Sequence, residues 1–181
     1  MIRHFNLNLA DGIHLACRAA GVGRARVLLL HGFPEAAFVW DDVMLRVAPR
    51  AACVAPNLRG FTGSSAPTEV AAYRARHVVG DIVAAIEALG SPLDLLVAHD
   101  WGGAVAMGWA VQDPRQVAGM ILCNTGIAVP AGRSAPAIIR LAASSMLLDV
   151  VCRGTSIFVE GTVRLSGRRI TKIDREAFRA P

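Results

Sequence analysis

The chain has 181 residues, 54% hydrophobic and 18% charged, which excludes a disordered polymer and suits one domain with a buried core. Lys and Arg number 19 against 14 Asp and Glu, a formal net charge of +5, but the arginines are scattered and a nucleic-acid partner is not expected. Mean hydropathy is high at +0.44, yet the longest apolar candidate, 138–152, is broken by Arg140 and Asp149 and is too short to span a bilayer.

Taken in chain order, residues 2–9 alternate in polarity as a half-buried strand does, after a start that lacks the apolar core of a signal peptide. Asp11-Gly12 is a hairpin turn signal and 13–19 supplies the return strand. Residues 27–30 are a short all-apolar run, the mark of a strand buried on both faces. The period then changes. Apolar residues at 39, 40, 43, 44 and 47 predict a helix over 36–47, and 51–55 reads as a buried strand stopped by Pro56. Val78, Val79, Ile82, Val83, Ile86 and Leu89 predict the best helix, over 73–89, with those residues on one face and Gly90 as its stop. A strand over 93–97, a helix over 102–111 and a strand over 117–123 follow. Strands alternating with helices predict an α/β fold, a mostly parallel sheet with helices on both faces. Beyond Asn124, a Gly-, Pro- and Ala-rich connector leads to helices expected at 137–150, 155–165 and 172–178. Cys17, Cys53, Cys123 and Cys152 form no CxxC pair, and the first three, in expected strands, read as buried free thiols. A cytoplasmic protein without membrane contact is the expectation.

The informative stretch is Ala98-His99-Asp100-Trp101-Gly102, where a buried strand turns directly into a helix with an acid at the tip. This is the small-x-nucleophile-x-small pattern of a nucleophile elbow. Its tight turn brings strand and helix backbones together, which Ala98, Gly102 and Gly103 permit. The helix N-terminus below favours an ionised Asp100. The plainer alternative is that Asp100 only caps that helix. Two further motifs weigh against it. His31-Gly32-Phe33-Pro34-Glu35 follows a buried strand, and its Phe33 N–H, with that of Trp101, is a candidate donor to developing negative charge. A Gly-rich loop, PNLRGFTGSS, follows the next strand.

With these three motifs in order, the chain from Ile2 onward resembles the α/β-hydrolase fold, and within it the branch with an aspartate nucleophile: epoxide hydrolases, haloalkane dehalogenases and their relatives. HGFPE and NLRGFTGSS look most like epoxide hydrolases. HDWGG occurs in both groups, and the Cys123-Asn124-Thr125-Gly126 run leans towards dehalogenase-like members, including β-lactone decarboxylases. The resemblance implies in-line attack by Asp100 on a saturated carbon of an epoxide or alkyl halide, giving an alkyl ester that histidine-activated water then cleaves. It implies no cofactor and no metal. Trp101 and Phe33 would stabilise the oxyanion or halide. His31, Gly32, Pro34, Ala98, Gly102 and Gly103 would support the loop and the elbow.

The family order is nucleophile, acid, histidine, but His4, His14, His31, His77 and His99 all precede Asp100. His99 adjoins the nucleophile, and neighbours along a strand point to opposite faces, so it is not expected to act as the base. Asn124 stands where one dehalogenase subgroup keeps its acid. Tyr73 is the one tyrosine, whereas epoxide hydrolases use two cap tyrosines. These departures lead us to expect an incomplete α/β-hydrolase: a core over 1–125, then a linker and the beginning of a helical cap over 126–181, without the last two strands, the acid and the histidine. Strand 117–123 would then be an open apolar edge prone to self-association. The alternative expectation is a non-catalytic α/β-hydrolase-like protein that binds a small molecule or a partner.

Overall fold

A computed structural model describes residues 1–90 and 92–126, and beyond them 132, 134, 140, 159–161 and 164. The chain divides into units of Met1–Ile127 and Ala128–Ala180. Of the helices expected after the connector, only Arg140, residues 159–161 and Arg164 fall among the described residues, all helical; the rest of that expectation, with Cys152, lies outside them.

Among the described residues six strands form one sheet: β1 (Arg3–Asn8), β2 (His14–Ala20), β3 (Ala25–Leu30), β4 (Ala51–Pro56), β5 (Leu95–His99) and β6 (Met120–Cys123), in the order β1-β2-β4-β3-β5-β6. The pairs β1–β2 and β2–β4 are antiparallel, and β3–β4, β3–β5 and β5–β6 are parallel. Helices α1 (Asp41–Val47), α2 (Ala75–Leu89) and α3 (Trp101–Ala110) complete the layers. The α/β fold with helices on both faces is thus present. One face packs Leu28, Leu30, Val54 and Leu96 against Val78, Ile82 and Ile86 of α2 and Val105 and Trp109 of α3. The other packs Val27, Leu29, Ala55 and Val97 against Met44 of α1. The run at 27–30 is apolar throughout because successive side chains enter opposite cores.

Several boundaries differ from expectation for local reasons. The helix expected at 36–47 begins as a 3-10 turn, Ala37–Trp40, whose first N–H donates to Asn57 Oδ1 at 2.6 Å. Strand β5 starts later and ends later than expected. Leu93 makes only an isolated bridge to Val117, and Asp94 is held aside by the Arg26 backbone, its carboxylate accepting from Arg26 N–H at 2.7 Å. At its other end, pairing of Ala98 with Leu30 and of His99 with Cys123 carries the strand on through His99. Strand β6 is correspondingly short. Val83, expected on the buried face of α2, is 38% exposed, since it sits about 100° round the helix from Ile82. The buried face takes Asp81 and Ala85 instead. Strand β1 is more exposed than expected, only Leu7 being partly covered. Cys17 and Cys53 are buried, and burial pushes the Cys17 thiol up to about 12. Cys123 is exposed, contrary to expectation, because β6 is the sheet's far edge. Ile121 and Leu122 beside it are also exposed.

The chain leaves β3 through α1 to β4 and returns through α2 to β5, so β3 has later strands on both sides. In an open α/β sheet, the crevice beyond the carboxyl ends at such a reversal is where ligands bind. Here that crevice lies beyond Leu30 and His99.

Candidate active site

Leu30 and Ala98 are register partners in β3 and β5, so the residues that follow each strand emerge side by side. From β3 come His31, Gly32, Phe33 and Pro34; from β5 come His99 and Asp100. Asp100 has φ 50° and ψ −119°, a left-handed conformation that side-chain-bearing residues rarely adopt. Its carboxylate makes no capping bond to α3. Instead Oδ1 accepts the Phe33 N–H at 2.9 Å. An ordinary N-cap residue has extended backbone and bonds its own helix, so the plainer reading of Asp100 does not describe this geometry.

The glycines around the turn each face a different neighbour. A Cβ on Gly32 would lie 2.4 Å from Asp100 Cβ, one on Gly102 2.4 Å from the His31 carbonyl oxygen, and one on Gly103 2.4 Å from Thr125 Oγ1. Ala98 is fully buried between β3 and β6, and Phe33-Pro34 is a cis peptide. Trp101, the first residue of α3, is 58% exposed, and its N–H belongs to the helix turn that has no partner within the helix. A groove of about 460 Å³ adjoins the carboxylate, lined among others by Asp100, Trp101, Met107, Leu122 and Asn124.

His31 is fully buried. Its Nε2 accepts the Leu58 N–H at 3.1 Å, which leaves Nδ1 to donate to the Gly32 carbonyl at 2.9 Å. Burial lowers its pKa to about 4, the Gly32 hydrogen bond opposing part of that shift. The imidazole is therefore neutral and ties β3's loop to the start of the Gly-rich loop, with Phe61 edge-on at 4.7 Å.

Three relationships escaped the sequence reading. His99 Nδ1 pairs with Glu35 Oε2 at 2.9 Å, joining the strand before the elbow to the HGFPE loop. Arg59 forms a buried bidentate pair with Asp81, Nε to Oδ2 at 2.6 Å, and also donates to the Ala72 carbonyl at 2.8 Å. An acid inside the apolar stripe of α2 was the available signal for this pair. Thr125 Oγ1 donates to the Asp100 carbonyl at 2.6 Å; nothing in a lone threonine after a strand announces that contact. Tyr73, in a 3-10 turn before α2, donates its hydroxyl to the Pro67 carbonyl.

A family model described as the alpha/beta hydrolase fold matches residues 25–149, more than half of the chain. The chain belongs to the α/β-hydrolase family. Epoxide hydrolase 3 of Siraitia grosvenorii is 37% identical over 123 residues, 66% of this chain and 38% of that protein. A cis-3-alkyl-4-alkyloxetan-2-one decarboxylase of Shewanella oneidensis is 26% identical over 99% of this chain and 57% of its own length. Among solved structures, an epoxide hydrolase of the alpha/beta hydrolases superfamily from hot-environment metagenomes superposes with a TM-score of 0.82 at 28% identity, covering 99% of this chain and 65% of that one. This α/β-hydrolase chain thus spans 38% and 57% of the lengths of those two curated relatives. Proteins named epoxide hydrolases are among its relatives. Among the described residues no helix is long and apolar enough to cross a membrane.

Proposed function

We propose that Asp100 is a nucleophile that forms an alkyl ester with a small epoxide or alkyl halide, epoxide being the favoured substrate. The observation that carries this is the Asp100 carboxylate, raised on a left-handed turn at the end of β5 and bonded to the Phe33 N–H rather than to its own helix. One carboxylate oxygen attacks the saturated carbon as the ring C–O or carbon–halogen bond breaks. The departing electron pair goes to oxygen, which then takes a proton, or leaves with halide. Once the ester has formed, its carbonyl oxygen occupies the place of Oδ1, where Phe33 N–H and Trp101 N–H would receive the charge of a second, hydrolytic step. His31, Gly32, Pro34, Ala98, Gly102 and Gly103 hold these groups in place. The epoxide preference is supported by the relatives named epoxide hydrolases, together with the HGFPE and NLRGFTGSS loops.

No histidine follows Asp100 among the 181 residues, so in this proposal the chain carries out the first step and the ester persists. Residues 1–125 supply the core that carries these groups. The exposed edge of β6, with Ile121 and Leu122 bare, supports self-association through 117–123; sedimentation of wild type against Leu122→Lys tests this.

Intact-protein mass spectrometry after incubation with styrene oxide and with butyl bromide tests the nucleophile. Addition of the whole epoxide mass, or of the butyl group alone, on wild type but not on Asp100→Asn is the expected result. No adduct on a folded chain favours the non-catalytic, binding-only reading. A second catalytic reading, decarboxylation of an alkyl oxetanone, is favoured by the decarboxylase relative that aligns over 99% of this chain. Carbon dioxide release from such a lactone distinguishes it.

A further inference from the structure

We propose that Thr125 is a positioning residue for Asp100, holding the nucleophile's backbone in its left-handed conformation from the end of the neighbouring strand. The inference rests on Asp100 acting as the nucleophile. A non-glycine residue at φ 50° is strained and persists only where its surroundings over-determine it. At Asp100 those surroundings are largely Cys123, which ends β6, and the two residues after it. The Asp100 N–H donates to the Cys123 carbonyl at 3.1 Å. Asn124 turns the chain with its own φ of 45°, and Thr125 comes back under the elbow to donate its hydroxyl to the Asp100 carbonyl at 2.6 Å. The same carbonyl accepts the Gly103 N–H at 3.1 Å. Both polar groups of the Asp100 backbone are thereby fixed.

Gly103 independently points to the same contact. A Cβ there would lie 2.4 Å from Thr125 Oγ1 and 2.5 Å from its Cγ2. Gly103 is therefore required by the threonine, whereas Gly102 is required by the Leu30 and His31 backbone. Losing the hydroxyl leaves the Asp100 carbonyl with the longer Gly103 bond alone, which loosens the turn and shifts the carboxylate relative to the Phe33 N–H.

The test is the rate of ester formation with styrene oxide, followed by intact mass across a range of reagent concentrations. Thr125→Val keeps the side chain's shape and removes its donor; Thr125→Ser keeps the donor. The valine variant should lower the maximal rate between about ten- and a hundredfold with little change in half-saturation. The serine variant should run close to wild type, although it fills the site less well. Gly103→Ala, which displaces the threonine from the other side, should match the valine variant. A valine variant as fast as wild type, or a serine variant as slow as valine, overturns the assignment while leaving the nucleophile intact. If wild type forms no ester, the nucleophile reading fails, and this inference with it.

Discussion

The Phe33 N–H and the Asp100 carboxylate meet at 2.9 Å although 67 residues separate them in the chain. Parallel pairing of β3 with β5 brings them together, and Gly32 makes the approach possible. With a Cβ on Gly32 only 2.4 Å from Asp100 Cβ and 2.6 Å from Oδ1, the carboxylate has no flexible end that can yield. Gly32→Ala should therefore slow ester formation by about tenfold or more by displacing the whole carboxylate. The time course of the mass adduct measures this. An unchanged rate would show that the loop and the acid do not act together.

Glycines in this chain divide by what lies opposite them, and stability should divide the same way. Gly102 faces the His31 and Leu30 carbonyl oxygens at 2.4 and 2.8 Å, backbone that cannot step aside. Gly102→Ala should cost about 2–3 kcal/mol. Gly80, in the exposed part of α2, has nothing within 4 Å of a Cβ. Gly80→Ala should add about 0.5–1 kcal/mol by restricting the unfolded chain and favouring helix. Urea midpoints of the two variants should move in opposite directions.

Arg59 and Asp81 are both buried. Removing the acid leaves a guanidinium with the part-buried Ala72 carbonyl and the half-exposed Asp11 at 3.5 Å. Asp81→Ala should destabilise by about 3–5 kcal/mol, because the uncompensated charge costs more than the pair was worth. The double variant Asp81→Leu with Arg59→Met should recover much of that loss. Equilibrium unfolding of the three proteins provides the comparison.

His31 links stability to pH. Its pKa in the folded chain is about 4, below an ordinary value of 6.5, chiefly through burial. Between those values the unfolded state binds a proton that the folded state does not, so stability falls as pH drops from 6.5 towards 4 and this contribution levels off below. The whole effect is about 3 kcal/mol, an order-of-magnitude figure. His31→Phe, though less stable throughout, should show a flatter profile across that window. Denaturant unfolding at several pH values, wild type minus variant, isolates the histidine from the carboxylates.

The sequence by itself determined the layered α/β architecture, because strands buried on two faces need uninterrupted apolar runs such as 27–30 and helices need a 3.6-residue stripe such as that of α2. It also marked Asp100, because a strand that turns at once into a helix leaves a local signature of small residues. Boundaries were less legible where side chains bond backbone across the sheet, as Asp94 does to Arg26 at the start of β5. Which groups surround Asp100 depends on the packed fold. Strand order brings Phe33, 67 residues away, to the Asp100 carboxylate and Thr125, 25 residues away, to the Asp100 carbonyl. Such contacts leave no periodicity to read: a donor hydroxyl, a missing Cβ or a buried acid acquires its meaning from what the fold sets against it.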